Sequence, residues 1–271
     1  MIISIVTITY NAEKVLQRTL DSVRSQTYKD IEHLIIDGAS TDNTLRMVQE
    51  YSTHHSPLTT HQIKIISEPD RGIYDAMNKG LRLATGDYIV FMNAGDTFHD
   101  ERTLERVVVS LNLSERRDIP TDSEGKPPLS GRFGGAYGDT NIVDSEGQFL
   151  RKRHLSVPDH LTWRSFKQGM LVCHQAFYAR LDIARDIPYD LQYRHSADVD
   201  WCIRVMKEAE RRHLPLVRVP GVVADFMDGG NTTQNHRASL RERFTVMRRH
   251  YGLLTTLAMH AWFVLRQLFR F

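Results

Sequence analysis

Asp37, Asp70 and Asp96 each follow a run of apolar residues, and Asp198 stands early in an amphipathic stretch. Carboxylates so placed can handle a charged substrate. The densest signal is the pair of runs EPDRGIYDAMNKG (Glu68–Gly80) and ATGDYIVFMNAGD (Ala84–Asp96). They combine a turn at a strand end, a helix starting under it and a further strand that brings Asp96 to the same rim. Hard oxygen ligands there suit Mg²⁺ or Mn²⁺ and a bound diphosphate, which makes Asp96 the candidate metal ligand. Taken singly, Asp70, Asp87 and Asp96 serve equally well as turn or capping residues, as do Gly38 and Ser40 in DGASTD. Their joint placement at strand ends is what points to a site. A cleft with Asp37 and Asp70 suits the neutral donors of a nucleoside, and Arg71 or Lys79 the charge of a diphosphate.

The elements that must position these residues follow from periodicity. Ile2–Tyr10 is rich in β-branched residues and stops at Asn11, after which Val15, Leu16, Leu20 and Val23 recur at helical spacing. Ile31–Ile36 predicts a second strand, and Leu45, Val48 and Tyr51 a second helix after Ser40-Thr41-Asp42. Ile63–Ser67 is a third strand, Ile73–Leu83 a helix and Tyr88–Met92 a fourth strand. This alternation argues for an α/β fold with a parallel sheet, whose ligands sit outside the carboxyl ends of the strands. Asn11, Asp37, Asp70 and Asp96 then line one crevice. Further on, Ser114–Gly135, rich in Pro, Gly and Ser, reads as a mobile loop. Ala136–Val143 and Gln148–His154 predict a hairpin, His195–Glu210 a helix and Leu216–Val223 a late strand.

The runs TITYN, DGASTDNT, EPDRGIYDAMNKG and FMNAGD, in this order and spacing, resemble family 2 glycosyltransferases, the large inverting group with the GT-A fold. The resemblance is dense over residues 1–100. It continues more thinly through CHQAFY (Cys173–Tyr178), YDLQYRHSADVDWCIR (Tyr189–Arg204) and the GGNTT run at Gly229, which look like the branch that builds bacterial exopolysaccharide, colanic-acid type included. It implies a Rossmann-like, mostly parallel central sheet flanked by helices, and transfer of a sugar from a UDP- or GDP-linked donor to a saccharide acceptor. Thr9, Tyr10 and Asn11 would lie along the nucleotide, Asp37 would accept from the base or ribose, and Asp70 and Arg71 would close the other side of the base. Such families commonly carry Asp-x-Asp after the fourth strand, whereas here Asn93 and Gly95 stand there and Asp96 follows. Asn93 still offers a neutral oxygen to ribose or metal, and metal independence stays open. His174 or His236 would complete the site, though each is equally at home as a hydrogen-bonded or surface histidine.

Inversion in a single displacement needs a base for the acceptor hydroxyl. Asp198 falls where the family shows Glu-Asp, with Ala197 in place of the Glu, and Asp200 is the alternative. Residues two apart on a helix point about 200° apart, so both cannot face the cleft once the helix has begun. Asp198 also suits a helix cap. Trp201, and after it Trp163 and Tyr178, are candidate sugar platforms, although most aromatics at such spacing are core. With Trp201, His174 and Gln175 are assigned to the acceptor or sugar, and selectivity is expected at Asp75, His174 and Gln175.

Composition bounds the rest. The chain has 271 residues with 41% hydrophobic and 25% charged content, which excludes global disorder and suits one large domain with an appendage. The expected division is a catalytic domain over 1–231, with a donor half (1–100) and an acceptor half (136–231), and an extension over 232–271. Cys173 and Cys202 are too few for a disulfide framework or a zinc site, so a reducing cytosol is the simplest compartment. MIISIVTITY has no basic region before it and reads as a strand, not a signal peptide.

Residues 232–271 hold seven arginines and one glutamate, a net of +6 that leaves −4 for residues 1–231 of a chain with formal charge +2. Arg237, Arg241, Arg243, Arg248 and Arg249 precede a 19-residue stretch in which Thr256, His260, Gln267 and Arg270 form a polar stripe. Leu253, Leu254, Leu257, Ala261, Trp262, Leu265, Leu268 and Phe269 form a wide apolar face. Residues 237–271 therefore read as an amphipathic helical extension lying on the anionic inner face of the cytoplasmic membrane, near a lipid-linked acceptor. A helix packed back on the domain, or self-association, is the other reading. No nucleic-acid partner is expected. Two other functions are weighed: a nucleotidyltransferase, which needs a Gly-rich phosphate loop that TITYNAEKVL lacks, and a non-catalytic nucleotide- or saccharide-binding module at a membrane.

Overall fold

The computed structural model describes residues 1–53, 62–113, 133–229 and 236–269. The expected loop over Ser114–Gly135 lies outside them up to position 132, as do residues 230–235 of the GGNTT region. In the first ninety residues β1 (Ile3–Thr9), α1 (Leu16–Arg24), β2 (Ile31–Asp37), α2 (Thr44–Thr53), β3 (Gln62–Ser67), α3 (Ile73–Leu83) and β4 (Tyr88–Phe91) follow the expected order. Their strands pair in parallel as β3-β2-β1-β4. Every residue of β1, β2 and β4 is buried. Both faces of a parallel sheet are covered by its crossover helices, which is why these strands read as continuous apolar runs.

The sheet does not end at β4. It continues through β5 (Thr97–Phe98), β6 (Gly135–Val143), β7 (Phe149–Lys152), β8 (Phe177–Arg180) and β9 (Leu216–Met227), in the order β4-β8-β6-β9-β5 with β7 beside β6. β8 runs antiparallel to β4 and β6, while β6 and β9 are parallel. The expected donor and acceptor halves therefore share one sheet. β9 is four residues longer at its end than its apolar run suggested, and that end reaches the turn of Asp96. The helices of this half are α4 (Thr103–Leu113), the single-turn α5 (Leu181–Ala184) and α6 (Ala197–Arg211).

The extension is two helices, α7 (His236–Tyr251) and α8 (Leu253–Phe269), separated at Gly252, whose φ of 82° a residue with a side chain adopts only under strain. α8 packs on α7 and on the 3₁₀ turn Trp163–Gln168. Its orientation inverts the usual rule for an amphipathic helix. Thr256 of the polar stripe is buried and the His260 ring meets Phe244 edge-on, whereas Leu254 is 83% exposed and Trp262 51%.

Candidate active site

The carboxyl ends of the first three strands are tied to one another. Asn11 sits in the left-handed region (φ 46°), from which its Oδ1 accepts the Thr41 N–H (2.9 Å) while its own N–H donates to Ser40 Oγ (2.9 Å). Asp37, buried at the end of β2, accepts at Oδ2 from the Ser40 N–H (3.0 Å) and the Ser67 hydroxyl (2.6 Å), and at Oδ1 from the Ser40 hydroxyl. A Cβ on Gly38 would stand 2.7 Å from Asp70 Oδ2 and 3.2 Å from the Tyr10 ring, so only glycine lets those two side chains meet over it. Thr9, Tyr10, Asn11, Asp37 and Asp70 form one rim, on which Tyr10 is exposed and the buried Thr9 hydroxyl has no partner.

The two candidate cations fare differently. Lys79 is buried under the turn, with its ammonium on the Pro69 carbonyl (2.9 Å) and Glu68 (3.0 Å). Its assignment to a diphosphate is corrected: a buried ammonium must be paired, and here the pairing secures the turn that carries Asp70. Arg71, just before α3, is exposed and its guanidinium bonds Asp75 in the first turn of that helix (3.3 Å). Arg71 and Asp75 line a cavity of about 640 Å³ together with Tyr74, Tyr193, Arg194 and His195. Asp87 lies at the far end of β4, where it accepts the Ile2 N–H (2.7 Å).

The fourth turn explains the missing second carboxylate. Gly95 has φ 99°, and a Cβ there would stand 2.6 Å from Met227 Cε. The glycine turns the chain so that Asp96 points inward, where Oδ2 accepts from Gln175 Nε2 (2.6 Å) and Oδ1 from the Met227 N–H (3.0 Å). Burial pushes the Asp96 carboxyl up to about 6 against the effect of those two bonds. Gln175 is itself buried, so its assignment to acceptor or sugar is corrected: it holds Asp96. Asn93 Oδ1 is buried without a partner, and Asn93 Nδ2 lies 3.0 Å from His174 Nε2. Among the described residues no three His, Cys, Asp or Glu side chains come together as a metal cluster.

Asp198 is the second residue of α6 and only 16% of its side chain is exposed. Its Oδ1 accepts the Tyr74 hydroxyl (3.2 Å) and the Val199 N–H (2.9 Å), and His174 Nδ1 lies 3.5 Å from Oδ2. Burial works to raise its pKa, but the bond and charge of His174, with the Val199 N–H and the Arg243 charge, outweigh it and hold the carboxyl below its ordinary range. His174 faces Asp198 with Nδ1 and the Asn93 side-chain amide with Nε2. Asn93, His174 and Asp198 thus form a chain from the fourth turn to the candidate base. Asp200 faces the other way, buried against Arg204 Nε (2.6 Å) and His250 Nε2 (2.8 Å), as the angular separation on a helix requires.

The aromatic candidates are corrected. Trp201 is fully buried, stacked on Tyr189 at 4.8 Å and edge-on to Phe91, with its indole N–H on the Ile187 carbonyl (2.8 Å). No sugar reaches it. Tyr178 is core. Trp163 stacks on Tyr251 at 5.7 Å and so anchors the C-terminal segment. His236 opens α7, but its side chain lies outside what the structure describes. Sequence reasoning missed Tyr74 as a partner of Asp198. It lies in the EPDRGIYDAMNKG run, but its contact is 124 positions away and leaves no local signal.

A profile of the family "Glycosyl transferase family 2" matches residues 4–116. A PGL/p-HBAD biosynthesis glycosyltransferase of Mycobacterium bovis (strain BCG / Pasteur 1173P2) is 32% identical over 202 residues, 74% of this chain and 68% of its own length. The amylovoran biosynthesis glycosyltransferase AmsB of Erwinia amylovora is 29% identical over 210 residues, 75% of this chain and 64% of its own. Among solved structures, S. aureus TarS 1-349 in complex with UDP-GlcNAc superposes with a TM-score of 0.65 at 14% identity, over 93% of this chain and 68% of that one. The mannosyltransferase PcManGT from Pyrobaculum calidifontis, in complex with GDP-Man and Mn²⁺, gives 0.58 at 17%, over 96% and 74%. Likeness at such identities concerns the fold, and it is the expected GT-A arrangement of a central, mostly parallel sheet flanked by helices.

Proposed function

This chain belongs to glycosyl transferase family 2 and is a glycosyltransferase; we propose that it moves one sugar, with inversion, from a UDP- or GDP-linked donor to a saccharide acceptor in the synthesis of a bacterial surface polysaccharide. One observation carries the mechanism. The Asp198 carboxylate is held ionised between Tyr74 and His174, and His174 links it to Asn93 at the donor rim. As the acceptor hydroxyl attacks the anomeric carbon, Asp198 takes its proton and the bond from that carbon to the diphosphate breaks. Tyr74 remains a donor throughout, because burial and the Asp198 charge push its pKa well above the ordinary value. The rim of Thr9–Asn11, Asp37 and Asp70 takes the nucleoside, and Arg71 is the cation available to phosphate oxygens.

The residues of the fourth turn fit a hard divalent ion. Asn93 Oδ1 is an orphaned buried oxygen, and each Asp96 oxygen carries one hydrogen bond and so retains a lone pair. Water and the diphosphate would fill the remaining positions, as is usual for Mg²⁺ and Mn²⁺. Bound there, such an ion supplies positive charge to the leaving diphosphate. Asp198→Asn is expected to lower transfer at least about 10³-fold with nucleotide affinity within twofold in titration calorimetry. Turnover at the wild-type rate would remove Asp198 from the mechanism.

The enzyme would work on the cytoplasmic face of the membrane, on a lipid-linked acceptor. Support comes from α8, which turns Leu253, Leu254, Leu257, Trp262 and Leu265 outward beside the exposed Arg248 and Arg249. No described helix is long and apolar enough to cross a membrane. Basic residues at an anionic surface contribute about 1 kcal/mol each, and the apolar face adds to that. The protein should sediment with phosphatidylglycerol vesicles and not with phosphatidylcholine vesicles, and the Leu254→Glu/Trp262→Glu variant should stay in the supernatant. Equal binding by that variant would refute α8 as the contact.

A further inference from the structure

Glu242 is the single acidic residue among the seven arginines of positions 232–271. It does not face solvent among them. Its carboxylate reaches across to the start of α6, where Oε1 accepts the Arg194 N–H (2.9 Å) and Oε2 accepts the N–H groups of His195 (2.7 Å) and Ser196 (3.0 Å). The first N–H groups of a helix have no partner within it, and the residue at the N-cap position ordinarily supplies an oxygen from its own side chain. Ser196 holds that position and makes no such bond; its hydroxyl donates instead to the Ser239 carbonyl of α7 (3.4 Å). Glu242 instead clasps, from 46 to 48 positions away, the three residues that lead into α6. Asp198 stands two residues beyond Ser196, so the turn that Glu242 fixes is the one that presents the base.

A second tie between the same helices separates two effects. His250 of α7 bonds the buried Asp200 of α6 (2.8 Å) on the side of the helix away from Asp198. It holds the helices together without touching residues 194–196. Docking of α7 thus includes contacts that reach the base turn, through Glu242 and Ser239, and one through His250 that does not.

On the reading that Asp198 is the base, we infer that Glu242 is a positioning residue for it: the C-terminal segment clasps the turn that leads into the catalytic helix and so sets where the Asp198 carboxylate stands. A negative charge at a helix start also opposes the positive end of the helix dipole. Displacement of a reacting group by about 1 Å costs up to about 10²-fold in rate, so the consequence should appear in kcat.

The test compares full-length variants by steady-state kinetics and thermal melting. Glu242→Ala should lower kcat about 30-fold with donor KM within twofold, and Glu242→Gln, which keeps the shape but turns an amide toward the N–H donors, about 10-fold. His250→Ala should lower the melting temperature at least as much as Glu242→Ala yet leave kcat within about twofold. Wild-type kcat in Glu242→Ala, or an equal loss of kcat in His250→Ala, would overturn the inference. Asp198→Asn in the same assay tells the two failures apart. If it is fully active the base assignment falls, and if it is dead while Glu242→Ala is unimpaired only the positioning role falls.

Discussion

The turn that carries Asp96 and the helix start that carries Asp198, linked through Asn93 and His174, each bury a carboxylate, and they drive its protonation in opposite directions. Asp96 is pushed up to about 6 because loss of water outweighs two hydrogen bonds from neutral donors, Gln175 and the Met227 amide. Asp198 suffers the same loss of water but gains the bond and charge of His174 and the Arg243 charge, and it falls below the ordinary range. Neutral donors leave a buried charge short of compensation, whereas donors that carry charge can exceed the cost of burial. On the proposed mechanism, the first site would gain from a cation that arrives with the substrate, and the second would already hold its carboxylate ionised as a base must be.

The sharpest way to break this contrast is to neutralise Asp96. Asp96→Asn should lower kcat about 10²-fold or more and abolish stimulation by Mn²⁺, since the leaving diphosphate loses the one carboxylate of the turn. Stability should respond with the opposite sign to the usual acidic residue. A folded pKa raised to about 6 favours the folded state fully below the unfolded value of 3.8, and that contribution is lost as pH rises through 6. In chelator, the wild-type melting temperature should fall between pH 5 and about 7, and Asp96→Asn should flatten that fall. A flat wild-type curve would mean that Asp96 is compensated by something other than a metal.

The two sites also differ in how far the sequence discloses them. The strand-end turns are local: β-branched runs, DG, EPD and NAGD mark where β2, β3 and β4 stop, and a parallel sheet brings those stops together. Asp198 at the start of α6, and the opposite facing of Asp200, follow from helical geometry alone. What decides each residue's state is not local. Gln175 on Asp96, Lys79 under Pro69, Tyr74 on Asp198 and Glu242 on the turn before α6 join positions between 10 and 124 residues apart. Trp201 looked like a sugar platform because an aromatic near the base is compatible with either role, and only its stack on Tyr189 and its edge-on contact with Phe91 settle that it is core. The apolar face of α8 was legible, but its outward orientation was not, because nothing in a helical pattern says which side the rest of the chain will cover.

A smaller perturbation tests the Asp198 side of the contrast. His174 is the largest of the influences that lower the Asp198 pKa. In His174→Ala burial is left opposed by the Tyr74 hydroxyl, the Val199 N–H and the Arg243 charge, without the largest of the lowering influences, so the carboxyl should move up. The acid limb of the kcat profile should then shift to higher pH, while kcat on the neutral plateau falls about 10-fold as Asp198 loses one of its two holding side chains. Stability carries a matching sign. In wild type the lowered pKa contributes stability above the unfolded value that is lost as pH falls through the folded one, and His174→Ala should remove that acid-side dependence. Were the acid limb to stay in place while kcat fell, His174 would be orienting Asp198 without setting its charge. The contrast between the two carboxylates would then rest on the helix start and on Arg243.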